Sequence, residues 1–186
     1  MKKALIIVDC QNDFMPGGAL AVPEGDKIVP IINQIQDKFD VIIATKDWHP
    51  EGHCSFKEQG GPWPIHCIQG TVGAELHKDI GQAHYVVEKG VDLDVDSYSG
   101  FYDNEKKKST GLTAILEGTG IYEVYICGLA LDYCVKFTAL DAVSEGFKAT
   151  VIFEATKAVN VNPGDGFKAI GDMVEAGVRV LGIREL

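Results

Sequence analysis

The sequence predicts an α/β protein in three layers, α/β/α, built on a six-stranded parallel sheet. Two observations predict it. Six short Val- and Ile-rich segments lack polar alternation, as strands covered on both faces do. Helical patterns separate most of them, and a parallel strand pair needs such a crossover.

The elements follow in order. "KKALIIVDC" (2–10) reads as the first strand. Residues 26–38 read as an amphipathic helix, because Ile28, Ile31, Ile32 and Ile35 keep i, i+3, i+4, i+7 spacing. "DVIIATKDW" (40–48) and "HYVVEKG" (84–90) are the second and third strands. From Asp47 to His84 the alternation breaks into Gly, Pro, Trp and His, and a long irregular stretch of this kind is usually functional. A short helix at 111–117 precedes the fourth strand, "EVYICGLA" (123–130). The next helix carries Val135, Ala139, Ala142 and Val143 on one face and stops at Gly146. "KATVIFEAT" (148–156), a helix at 165–176 ending at Gly177, and "VRVLGI" (178–183) complete the pattern.

With 186 residues, 46% of them hydrophobic, the chain is expected to form a single domain over 1–186. A net charge of -10 argues against nucleic acid as a partner, because phosphate binding needs concentrated cationic surface. The apolar runs are far too short to span a bilayer, so no membrane partner is expected. Asp9, Asn12 and Asp13 interrupt the N-terminal apolar run, which reads as a strand of a cytoplasmic protein rather than a signal peptide. Five cysteines (10, 54, 67, 127, 134) without a C-x-x-C pair suggest neither a disulfide framework nor a thiolate zinc site.

In an open parallel sheet, ligands collect beyond the carboxyl ends of the strands. Asp9, Asp47 with His49, Lys89 and Cys134 all fall at that edge, on four different strands. Each alone has a bland reading: a capping carboxylate, a surface amine, a buried apolar thiol. Together, Asp9, Lys89 and Cys134 suit acyl transfer by a thiol. Asp9 serves as proton carrier, and the Ala130 and Cys134 amides as an oxyanion cradle. The start of a helix and the nearby ammonium of Lys89 are expected to lower the thiol pKa. Asp47 and His49, two apart on an extended segment, share a face. With His53 and His66 they suit zinc, iron or manganese. Cys54 and Cys67 are expected to pack, and His77 and His84 to lie at the surface. Phe14, Trp63 and Tyr98 are placed to hold a flat ring.

The blocks "LIIVDCQNDFMPGGAL", "TKDWHPEGHCSF", "WPIHCIQGTVGAELH", "KGVDLDVDSYSGFYDN" and "GLALDYCV" are similar, from end to end, to the nicotinamidase/pyrazinamidase branch of the isochorismatase-like cysteine hydrolases. That resemblance implies a catalytic trio of Asp9, Lys89 and Cys134, with Ala130 and Cys134 as oxyanion amides. It implies metal ligands Asp47, His49 and His66. His53 matches a position that is a fourth ligand in some relatives and water-linked in others. It also implies a ring pocket of Phe14, Leu20, Trp63 and Tyr98, and a cis peptide before Ala130. The implied cofactor is one divalent metal, zinc first. The implied reaction is hydrolysis of nicotinamide, and of pyrazinamide, through a thioester within NAD salvage; a homo-oligomer is compatible with it. Leu131 departs from the threonine the family usually has there. The alternatives are an amidase of the same superfamily with another small substrate, or a non-catalytic metal-binding or thiol redox module. Dinucleotide binding is disfavoured, since no G-x-G-x-x-G follows the first strand.

Overall fold

The computed structural model describes residues 2–186 and contains one six-stranded sheet in the order β3-β2-β1-β4-β5-β6. The strands are β1 (Lys3–Val8), β2 (Val41–Asp47), β3 (Tyr85–Lys89), β4 (Glu123–Leu129), β5 (Lys148–Lys157) and β6 (Arg179–Leu181). Every pairing is parallel. All six strands expected from the sequence are present.

Alternation along β1 divides the core. Ala4, Ile6 and Val8 face one side, together with Leu112 and Leu116 of α2 (Leu112–Gly118), Ala139 and Ala142 of α3 (Lys136–Ser144) and Met173 of α4 (Asp165–Glu175). Leu5 and Ile7 face the other side, with Ile28, Val29, Ile32 and Ile35 of α1 (Ile28–Ile35). These are three layers. The helix expected over 26–38 is α-helical only in its middle, because 3-10 turns at Gly25–Lys27 and Gln36–Lys38 flank it.

Two features position the site. The strand order reverses its direction of growth between β1 and β4, so the loops leaving those strands part and open a crevice. The crossover from β2 to β3 carries no α-helix, only short 3-10 turns at Lys57–Gln59 and Val72–Ala74. That irregular segment lies over the crevice. No helix among the described residues is long and apolar enough to cross a membrane.

Candidate active site

Cys134 stands at the β4 side of the crevice. After the cis peptide Leu129–Ala130 the chain makes one wide π-helical turn, Leu131–Val135, before α3 begins. The Ala130 carbonyl accepts from Tyr133 N–H at 3.0 Å and from Val135 N–H at 3.1 Å. The thiol therefore sits in a π turn, where the sequence suggested the first turn of an α-helix. Such bulges recur at functional sites.

Asp9, directly after β1, has a left-handed φ of 46°. Strain of this kind persists only where the surroundings hold it. Here Thr45 of β2 does so: its backbone oxygen accepts from Asp9 N–H at 3.2 Å, and its hydroxyl donates to Asp9 Oδ1 at 2.7 Å. The other oxygen, Oδ2, lies 2.9 Å from Lys89 Nζ yet makes no well-aligned hydrogen bond among the described residues.

Lys89 joins the parts. Fully buried, its ammonium donates to Asp47 Oδ1, to the Ser97 carbonyl at 2.9 Å and to Cys134 Sγ at 3.5 Å, beside Asp9. Burial opposes its charge, but Asp47 and Asp9 outweigh burial and raise its pKa well above the usual lysine value. Burial likewise opposes charge on Asp47, where Lys89 and His49 prevail and hold the carboxyl well below the usual range. For Asp9 burial wins, and its pKa is raised.

Cys134 departs from expectation. Burial outweighs Lys89 and pushes the thiol well above its ordinary pKa. The lowered pKa expected from the sequence counted only the local dipole and the lysine, and omitted the loss of water around the sulfur. Asp9, Asp47 and Cys134 bring their polar atoms within 4.8 Å of one another.

Beside them stand Asp47, His49 and His66, also mutually within 4.8 Å. Asp47 Oδ2 is 3.6 Å from His49 Nε2 and 3.9 Å from His66 Nε2. Two ligands of one tetrahedral ion lie about 3.4 Å apart, given metal–ligand bonds of about 2.1 Å. The spacing fits an ion with only slight contraction. Each imidazole is prepared for it: His49 Nδ1 donates to the Gly90 carbonyl and His66 Nδ1 to the Pro64 carbonyl, both at 2.8 Å. That fixes the tautomer with the Nε2 lone pair free. Burial depresses the pKa of His66, while Asp47 overrides burial and raises that of His49.

His53 is different. Its ring stacks on His49 at 4.1 Å, and Ser55 N–H donates to its Nδ1 at 3.3 Å. Its Nδ1 also lies 2.8 Å from the Ser55 hydroxyl, a contact that either tautomer makes, and its Nε2 is buried without a partner among the described residues. With the proton on Nδ1 its Nε2 lone pair is free, and His53, His49 and Asp96 bring donor atoms within 4.8 Å of one another.

A narrow apolar cleft leads to both groups, lined by Phe14, Leu20, Trp63, Tyr98, Ala130 and Cys134, with Asp47 and His66 at its floor. Trp63 Nε1 donates to the Tyr98 hydroxyl at 3.1 Å, and burial pushes the Tyr98 pKa up to about 12. Cys67 is buried and Cys54 partly so, His84 is exposed and His77 partly exposed, and all five cysteines are free thiols.

With this geometry, the Isochorismatase domain model matches residues 3–185. The chain belongs to the isochorismatase domain family. A nicotinamidase of Acinetobacter baylyi is 42% identical over 98% of this chain and 94% of its own length. A solved nicotinamidase/pyrazinamidase of Acinetobacter baumanii superposes with a TM-score of 0.96 at 40% identity, covering 99% of this chain and 97% of that one. The pyrazinamidase of Pyrococcus horikoshii in complex with zinc gives 0.88 at 44% identity, covering 98% and 100%.

This isochorismatase-family site also contains residues the sequence reading passed over. Gln11 pairs with both backbone groups of Asp47, accepting from its N–H and donating to its carbonyl at 2.8 Å each. Asp13 Oδ2 accepts from Cys67 N–H at 2.7 Å, next to His66. Tyr133 packs edge-on against Trp63 at 4.9 Å, and Asp96, Val22 and Val159 complete the cleft. Thr45 alone carried a usable signal, since it shares a strand face with Asp47.

Proposed function

We propose that this chain is a metal-dependent nicotinamidase. It hydrolyses nicotinamide to nicotinate and ammonia through a thioester on Cys134, accepts pyrazinamide as well, and serves NAD salvage. One observation carries the reading. A single buried ammonium, Lys89, touches Asp9 and Asp47 and reaches Cys134, so nucleophile, proton carrier and metal-type donors share one apolar slot.

The flat pyridine ring enters between Phe14 and Trp63, with Leu20 and Tyr98 beside it. Asp47, His49 and His66 would hold a divalent ion, zinc by preference, which when bound supplies a Lewis-acid anchor for a ring nitrogen. Asp9 Oδ2, the carboxylate oxygen without a good hydrogen bond, takes the Cys134 proton as sulfur bonds to the amide carbon. The Ala130 and Cys134 amides receive the oxyanion. Asp9 returns the proton to nitrogen, the C–N bond breaks and ammonia leaves. Water, deprotonated by Asp9, adds to the thioester; the S–C bond breaks and the thiol recovers its proton. Lys89 offsets part of the effect of burial on Asp9, whose pKa still lies above the ordinary carboxylate value.

The test is ammonia release from nicotinamide, with metal analysis. Wild-type chain is expected to turn over, and Cys134→Ala to lose at least about 1,000-fold in kcat, a lower bound beside the roughly 10^6 lost when a hydrolase nucleophile is removed, while still binding nicotinate. Turnover by the alanine variant within tenfold of wild type rejects the thiol.

A further inference from the structure

Asp132 is a buried carboxylate that the amide chemistry leaves unused. It stands two residues before Cys134 in the π turn, and both its oxygens are engaged by another part of the chain. Oδ1 accepts from Val159 N–H at 2.9 Å and Oδ2 from Asn160 N–H at 2.7 Å. These amides belong to the loop between β5 and α4, and Val159 is part of the cleft wall. Asn160 is itself held in a left-handed φ of 53°, and its Oδ1 accepts from Gly166 N–H at 2.9 Å in the first turn of α4. The nucleophile turn, the cleft wall and α4 thus meet at one side chain.

We propose that Asp132 is a positioning residue: it fixes the separation between the Cys134 sulfur and the Val159 wall, and so limits the size of ring the cleft accepts. The inference rests on the amidase reading above. Two charge-assisted bonds from one carboxylate to adjacent amides set direction as well as distance. A reacting group must be held to within about 0.5 Å. Asparagine keeps one acceptor but turns an NH2 toward the second amide, which leaves two donors facing each other in a buried place. The wall then loosens while Asp9, Lys89 and Cys134 keep their own contacts. Glutamate retains both acceptors on a side chain one methylene longer, so it keeps charge on the two amides but displaces them.

The experiment compares Asp132→Asn, Asp132→Glu, Val159→Ala and the Asp132→Asn/Val159→Ala pair. Kinetics on nicotinamide and on the bulkier 5-methylnicotinamide are normalised to the fraction of Cys134 that iodoacetamide labels. The ratio of kcat/KM, bulky over parent, is expected to rise about tenfold in Asp132→Asn and in Val159→Ala, the scale of one methylene in an apolar pocket. Asp132→Glu, which keeps both acceptors, should fall between wild type and Asp132→Asn. The double variant should not exceed the larger single effect, because both substitutions act through one wall. Equal losses on both substrates, or additive effects, overturn the proposal. A second measurement needs no substrate. The Cys134 labelling rate with N-phenylmaleimide, relative to iodoacetamide, should rise in Asp132→Asn, and an unchanged ratio rejects the join. Should the wild-type chain release no ammonia from nicotinamide, the amidase reading falls while the labelling ratio still decides the role of Asp132.

Discussion

Lys89 faces two carboxylates and a thiol without contact with water, and the fate of each depends on it. Lys89→Met leaves Asp9 and Asp47 buried side by side with their shared cation gone. Breaking a buried pair from one side costs about 3–5 kcal/mol, and a loss of that size is expected in denaturant unfolding. The same change removes the group that lowers the Cys134 pKa, so iodoacetamide labelling at neutral pH should slow further. Faster labelling would assign the ammonium another role. The proton carrier gives a second expectation. Asp9 must be ionised to accept the thiol proton, and burial raises its pKa, so kcat/KM falls with decreasing pH around a midpoint above the ordinary carboxylate value of about 4. On the alkaline side, Lys89 and Cys134 both titrate above their usual values, so activity stays level through neutrality. A pH profile under saturating metal checks this, and an acidic midpoint below 4 would exclude Asp9 as the base.

Strands and turns differ in how openly the chain declares them. The central strands were readable because a doubly covered strand must be apolar throughout, a demand written into Ile6, Ile43 and Val151 themselves. The edge strand β3 was readable from its β-branched residues, although Tyr85 and Val86 are exposed. The π turn at Leu131–Val135 was not readable, since no residue type marks a hydrogen bond one residue wider than an α-helix makes. Asp9, Lys89 and Cys134 could be grouped from their places at strand ends. That Lys89 also grips Asp47, joining two groups read separately, depends on a side-chain path no spacing encodes. The thiol pKa went astray for a related reason: the dipole is local, but desolvation belongs to the packed site. Gly128, by contrast, has a position-specific requirement at the end of β4. Its φ is 107°, and a Cβ there would stand 2.0 Å from the Val8 carbonyl oxygen. Gly128→Ala must force β4 from β1 just before the nucleophile turn. The left-handed penalty alone is about 1–2 kcal/mol, and the backbone clash adds to it. A fall in unfolding free energy of more than 2 kcal/mol is expected, and unfolding indistinguishable from wild type would mean that β4 approaches β1 less closely.

The proposed metal donors come from separate parts of the chain, and this has a consequence for the entire fold. Asp47 ends β2 and His49 lies just beyond it, whereas His66 belongs to the irregular crossover that covers the crevice. Within the crossover, local contacts are mostly backbone turns, such as those ending at Gly60 and Glu75. An ion held by the three donors would therefore staple the cover to the sheet, and binding only the folded state stabilises it by RT ln(1 + [L]/Kd), about 2.7 kcal/mol at a hundredfold excess over Kd. Chelation is expected to lower the melting temperature, to raise KM more than it lowers kcat, and to speed amide hydrogen exchange selectively over residues 50–77. Strands β1 and β4 should exchange as before, because their bonds do not involve the donors. The selectivity is what distinguishes a staple from general destabilisation: uniform acceleration across the sheet, or unchanged exchange after complete metal removal, would detach Asp47, His49 and His66 from any role in holding the cover closed.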